Sequence, residues 1–256
     1  MKNTQRFRHF VAEFTRLIEK NGHDEKVMHE SGGKLLGDLI AHDDWLPDEA
    51  AQPHPQYYQQ YLLYCDPLER FSVVSFVWGP GQKTPVHDHT VWGLVGMMRG
   101  AENARRFAHT APGKPMSVGK TESLMPGQVD RVSPTVGDIH EVSNALSDKP
   151  SISIHVYGAN IGAVKRHVFD PATGAEKPFV SGYSSPQMPN FWDRSAEVRA
   201  TITPAAAGVA AGPACATPAG GAPTAGEAEG GAATRAAADP SSAPRHSAPG
   251  SCWVTR

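Results

Sequence analysis

Two short stretches decide how this chain folds: Gly81-Gln82-Lys83-Thr84-Pro85-Val86-His87-Asp88-His89 and Gly137-Asp138-Ile139-His140-Glu141-Val142-Ser143-Asn144. Alternate residues of a strand face the same way, so His87 and His89 can reach one point in space while Asp88 points elsewhere. His140 can close that point from a second strand. Three neutral imidazoles suit Fe, Zn, Cu or Ni and leave coordination positions free for a substrate.

Working outward, composition narrows what such a point could serve. The chain has 256 residues, 39% hydrophobic and 20% charged, enough for one globular domain with a real core. A formal net charge of −2 and the lack of a Lys/Arg run argue against a nucleic-acid partner. No apolar run approaches the roughly 20 residues that span a bilayer, and the N-terminus lacks an apolar signal core, so the expectation is a cytoplasmic protein without a membrane partner. Cys65, Cys215 and Cys252 are odd in number and widely spaced, which does not suggest a disulfide framework.

Along the chain, Phe7, Phe10, Val11, Phe14, Leu17 and Ile18 fall at helical spacing and predict an amphipathic first helix. Ser31, Gly32 and Gly33 then precede a shorter helix over about residues 34–41. From Tyr57 the texture changes to short β-branched and aromatic runs between Gly and Pro: residues 71–78, 92–98, 104–108, 128–132, 152–157 and 165–169. Many short strands of this kind predict a sandwich or barrel. The expected organisation is one domain over 1–200, helical over about 1–50 and a barrel over about 57–190. Residues 201–256 are dominated by Ala, Gly, Pro, Ser and Thr, with too little apolar bulk to offset the entropy of ordering, and read as a disordered tail. That composition also fits a shifted reading frame of a GC-rich gene.

The two opening stretches resemble the signature segments of the cupin barrel, a double-stranded β-helix or jelly roll. Gly81, His87, His89 and Gly100 fit the first segment, and Gly137, His140 and Asn144 fit the end of the second. Gly93 stands where the usual cupin glutamate falls, so Asp88 and Glu102 are the carboxylates to check as replacement ligands. Seven of the other histidines, at 9, 23, 29, 42, 54, 109 and 246, read as ordinary structural residues.

Downstream, Ser153-Ile154-His155-Val156-Tyr157 alternates polar and apolar side chains, which places Ser153, His155 and Tyr157 on one strand face. Facing a barrel interior they form a hydrogen-bond relay; facing outward they are merely solvated. His87-x-His89, His140 and this Ser-x-His-x-Tyr run together resemble the thiol dioxygenases of the cysteine dioxygenase family, over roughly Tyr57 to Val168. The resemblance implies a mononuclear Fe(II) on His87, His89 and His140 with no protein carboxylate. It also implies Ser153, His155 and Tyr157 as an outer-sphere catalytic relay.

Two departures refine what is implied. Animal members have a Cys shortly after the His-x-His that becomes linked to the relay Tyr; here Gly93 and Leu94 occupy that neighbourhood. They also carry an Arg in a Tyr-x-Arg segment, where this chain has Gln60. The pattern is similar to the bacterial branch acting on 3-mercaptopropionate, in which an Arg matching Arg166 pairs with the substrate carboxylate. The substrate-binding residues so implied are Arg166 and Gln60, the partners a small thiol carboxylate and O2, the product a sulfinic acid. Readings left open are cysteine as the main substrate, a Zn or Ni cupin isomerase, and a metal-binding cupin without catalysis. The sequence carries no signal of oligomeric state.

Overall fold

Strand Ser151–Tyr157 is buried at every residue, and its alternation explains the architecture. Ile152, Ile154 and Val156 pack on one side against helical residues such as Phe10, Phe14, Leu36 and Ile40. Ser151, Ser153, His155 and Tyr157 therefore face the other way, into the space between two sheets. A strand covered on both faces needs a layer on each side, and the N-terminal helices supply one of them.

The computed structural model describes residues 3–185 and 194–202. Among these residues four α-helices are present: α1 (Thr4–Asn21), α2 (Glu25–Val27), α3 (Gly33–Ile40) and α4 (Ser195–Ala200). Eleven strands follow one another as β1 (Gln59–Cys65), β2 (Ser72–Trp78), β3 (Val86–His87), β4 (Gly93–Arg99), β5 (Glu102–Ala108), β6 (Ser117–Leu124), β7 (Val129–Val132), β8 (His140–Asn144), β9 (Ser151–Tyr157), β10 (Arg166–Phe169) and β11 (Glu176–Phe179). They form two antiparallel sheets, ordered β1-β2-β9-β4-β7 and β11-β10-β3-β8-β5-β6, the double-stranded β-helix expected from the two signature segments. None of the described helices is long and apolar enough to cross a membrane.

The N-terminal helices differ from expectation at their junction. Ser31, Gly32 and Gly33 read as a break, yet residues Met28–Gly32 form a π-helical turn running straight into α3. Gly32 is buried there, and a Cβ at this position would lie 3.0 Å from the Phe14 ring and 3.3 Å from Leu94. The glycine thus permits close packing between α1 and the sheet rather than a turn. The run around residues 117–124 was not legible as a strand, because β6 is an exposed edge whose side chains carry no buried alternation. The tail expected at 201–256 lies, from residue 203 onward, outside the described residues.

Candidate metal centre

The register of the second sheet brings the three imidazoles together. β3 pairs with β8 so that His87 stands directly opposite His140, and His89 follows two residues on. The ring centroids are 5.0 Å apart for His87 and His89, and 4.8 Å for each of the other two pairs. Each ring offers a nitrogen within 4.8 Å of the others, and all three residues are buried. His87 Nδ1 donates to the Pro85 carbonyl at 3.0 Å. His89 Nδ1 donates to the Asp138 carboxylate at 2.9 Å, and Asp138 also accepts from the His89 and Thr90 backbone N–H groups. These bonds fix the tautomers of both rings and leave Nε2 free.

Burial keeps the cluster uncharged. Desolvation, reinforced by Arg166, lowers the His87 pKa to about 4. Burial followed by repulsion from neighbouring rings pushes His89 and His140 well below the usual histidine range. Neutral imidazoles present lone pairs, which a metal ligand requires. His140 Nδ1 is also buried without a hydrogen-bond partner, a condition that is costly unless something else engages the ring. The donor set therefore fits a borderline ion such as Fe(II).

Among the described residues no carboxylate joins the three rings. Asp88 points away, as strand alternation predicts. Its Oδ1 accepts from the His167 backbone N–H at 2.7 Å and its Oδ2 from His167 Nδ1 at 2.8 Å, which ties the segment after β3 to β10. Glu102 lies with Ser151, whose hydroxyl donates to its Oε1 at 3.2 Å. Gly93, at the position of the missing cupin acid, pairs with Tyr157 in the register of β4 and β9. A Cβ on Gly93 would come within 2.8 Å of Val132 and 2.9 Å of the Tyr157 ring, so neither an acid nor a cysteine fits without displacing the tyrosine.

The run on β9 is an interior relay, not a solvated face. Ser153 Oγ and His155 Nε2 are 2.8 Å apart, and His155 Nδ1 and Tyr157 Oη are likewise 2.8 Å apart. The His155 ring stacks on Phe76 with centroids at 4.2 Å, and Tyr157 stacks on His89 at 5.6 Å. Burial, with His87 adding to it, lowers the His155 pKa to about 3, while burial raises that of Tyr157.

Arg166 and Gln60 meet the imidazoles and the relay across one cavity of about 30 Å³, which Tyr58, Trp78 and Phe179 also line. Such a space holds only a few heavy atoms. Arg166 is 4% exposed. One guanidinium nitrogen donates to Ser181 Oγ at 2.8 Å, and the group lies 4.6 Å over the Phe179 ring. Its Nε has no partner, and none of the described acids lies within ion-pair distance of it. A buried guanidinium without an anion is rare, because its desolvation goes uncompensated.

This geometry has a counterpart in known proteins, since residues 65–170 match the family model for cysteine dioxygenase type I. Through that stretch the chain is similar to the cysteine dioxygenase family. Cysteine dioxygenase type 1 of Bos taurus is 25% identical over 118 residues, covering 45% of this chain and 58% of the relative. The Homo sapiens protein is 27% identical over 107 residues, covering 41% and 52%. The chain thus spans little more than half the length of the cysteine dioxygenases it matches. Among solved structures, a conserved double-stranded β-helix protein from Klebsiella pneumoniae is similar over 54% of this chain and 97% of its own, with 16% identity and a TM-score of 0.35.

All eight residues singled out in the sequence, at 60, 87, 89, 140, 153, 155, 157 and 166, line this cavity or adjoin it. Asp138, Ser181 and the Asp88–His167 pair were missed. Asp138 sits inside the quoted second stretch, but a carboxylate two residues from a histidine has no sequence signature of the bond it makes.

Proposed function

We propose that this chain is a non-haem Fe(II) thiol dioxygenase that adds both atoms of O2 to the sulfur of a small thiol carboxylate, with 3-mercaptopropionate as the substrate. The observation carrying this reading is Arg166, a buried guanidinium with no anion beside it among the described residues, in the same small cavity as three neutral imidazoles. In balance, a thiolate and one O2 give one sulfinate, with no other reductant needed. Fe(II), held by His87, His89 and His140, supplies the Lewis acidity that keeps the thiol ionised and the redox chemistry that makes O2 reactive.

The protein's own groups do the rest. Arg166 pairs with the substrate carboxylate through its planar fork and fixes the distance from that end to the sulfur. Tyr157 keeps its phenol proton and, oriented by His155, offers it as a hydrogen bond where charge develops. Ser153 holds the far side of the imidazole. Phe76, Trp78 and Phe179 exclude water and strengthen these interactions. Among the described residues no acid lines the cavity to receive an ammonium group, and Gln60 offers an amide instead, which favours 3-mercaptopropionate over cysteine and cysteamine.

The test is oxygen uptake by iron-loaded protein with 3-mercaptopropionate, cysteine and cysteamine in parallel, with sulfinate quantified. Stoichiometric sulfinate, formed fastest from 3-mercaptopropionate, is the expected result. Iron binding without oxygen uptake would instead indicate a metal-binding module, and a preference for cysteamine would remove Arg166 from its role. Arg166→Gln should raise KM about 10–100-fold, the worth of a charge-assisted pair, with a smaller effect on kcat.

A further inference from the structure

The relay does not end at Ser153. Glu102, the first residue of β5, is 2% exposed and meets the serine end of the same row of side chains. The Ser151 hydroxyl donates to its Oε1 at 3.2 Å, and the Ser153 hydroxyl lies close enough to favour its charged form. Its Oε2 is buried with no hydrogen-bond partner. A buried carboxyl therefore stands beside Ser153, from which hydrogen bonds run through His155 to the Tyr157 phenol.

The neighbours leave Glu102 without a counter-ion. Across the strand pair with β8 the same face carries Asn144, Val142 and His140. Along β5 the next charged group on that face is Arg106, which is committed to Asp130. β6 brings Leu124 opposite, and β9 brings Ser151, Ser153, His155 and Tyr157. Across the Gly100 turn, Arg99 is engaged by Asp43.

We propose that Glu102 is a positioning residue whose protonation sets the direction of the whole Ser153–His155–Tyr157 hydrogen-bond chain. The proposal rests on the dioxygenase reading for its catalytic meaning, but its geometry stands apart from it. When Glu102 is neutral, its O–H donates to Ser153 Oγ, Ser153 donates to His155 Nε2, and His155 Nδ1–H donates to Tyr157 Oη. The phenol proton is then free to point into the cavity. When Glu102 loses its proton, it accepts from Ser153, which accepts from His155 Nε2–H, and His155 Nδ1 accepts from Tyr157. The phenol proton now points away from the cavity. One proton, released from Glu102, separates the two states, and His155 is neutral in both. Burial raises the Glu102 pKa to about 8, opposed by Ser153 and Ser151, so the outward-donating state prevails at neutral pH.

The test follows the His155 tautomer by nitrogen NMR across pH in the full chain loaded with diamagnetic Zn(II), alongside the infrared carboxyl band of Glu102. In the unsubstituted protein the ring proton should move from Nδ1 to Nε2 together with loss of the carboxyl band. Glu102→Gln, whose amide donates permanently, should hold the Nδ1–H form throughout. Ser151→Ala, outside the relay, should shift the carboxyl and tautomer midpoints upward together, by removing a bond that favours the anion. A tautomer that never changes, or that changes alike in Glu102→Gln, overturns the proposal; so does a Ser151→Ala midpoint that moves for one probe only. With iron in place, thiol oxidation should fall about tenfold per pH unit above the break and stay flat in Glu102→Gln. Absence of thiol oxidation at every pH, with the tautomer switch intact, would sink the dioxygenase reading and leave the role of Glu102 standing.

Discussion

At the scale of single residues, the site is defined by what each polar group lacks as much as by what it holds. Tyr157→Phe removes the cavity-facing hydroxyl while leaving the three imidazoles untouched, so turnover should fall at least tenfold with iron content, read by elemental analysis, nearly unchanged. Equal loss of both would contradict the role assigned to the phenol. Asp138→Asn replaces the acceptor that orients His89, and competition with a chromophoric chelator should show metal affinity reduced 10–100-fold. The histidines and the relay were readable because strand alternation converts spacing into a shared face. Asp138, Asp88–His167 and the absence of an anion beside Arg166 were not, since each depends on which distant strand lies across from it.

At the scale of elements, β9 works because both its faces are covered, and glycines at two contacts allow that. Gly93→Ala forces a methyl against Val132 and the Tyr157 ring. Overpacking of this kind costs about 1–3 kcal/mol and should lower both Tm and kcat, because the ring that moves is the one carrying the hydroxyl. Gly32→Ala meets the Phe14 ring instead, in the helix-covered core rather than the cavity lining; its Tm should fall while kcat holds. That contrast separates packing from positioning. The central strands β2, β4 and β9 were legible from their β-branched runs. The edge strand β6 was not, because it buries too few side chains to leave a pattern.

At the scale of the whole molecule, buried groups shape stability against pH from opposite sides, the lowered histidines, His155 among them, on one and Glu102 on the other. The His155 pKa is lowered from 6.5 to about 3, so the unfolded chain binds the extra proton first, and stability is lost as pH falls through that window. Glu102 is raised from 4.5 to about 8, so there the folded chain holds the extra proton and stability is lost as pH rises between those values. Each slope is about 1 kcal/mol per pH unit where it acts. Denaturant melts across pH should show that Glu102→Gln flattens the alkaline side only, and a profile unchanged by that substitution would contradict the assignment. The sandwich and its helical cover followed from hydrophobic periodicity, whereas the pairing order of the strands is set by contacts that no local pattern encodes. That the Arg166 guanidinium has no anion beside it among the described residues has a practical corollary. A folded chain that hides a solitary cation is hungry for any compact anion, so formate or acetate in a storage buffer should occupy the cavity, raise the melting temperature and masquerade as weak substrate affinity in a careless assay.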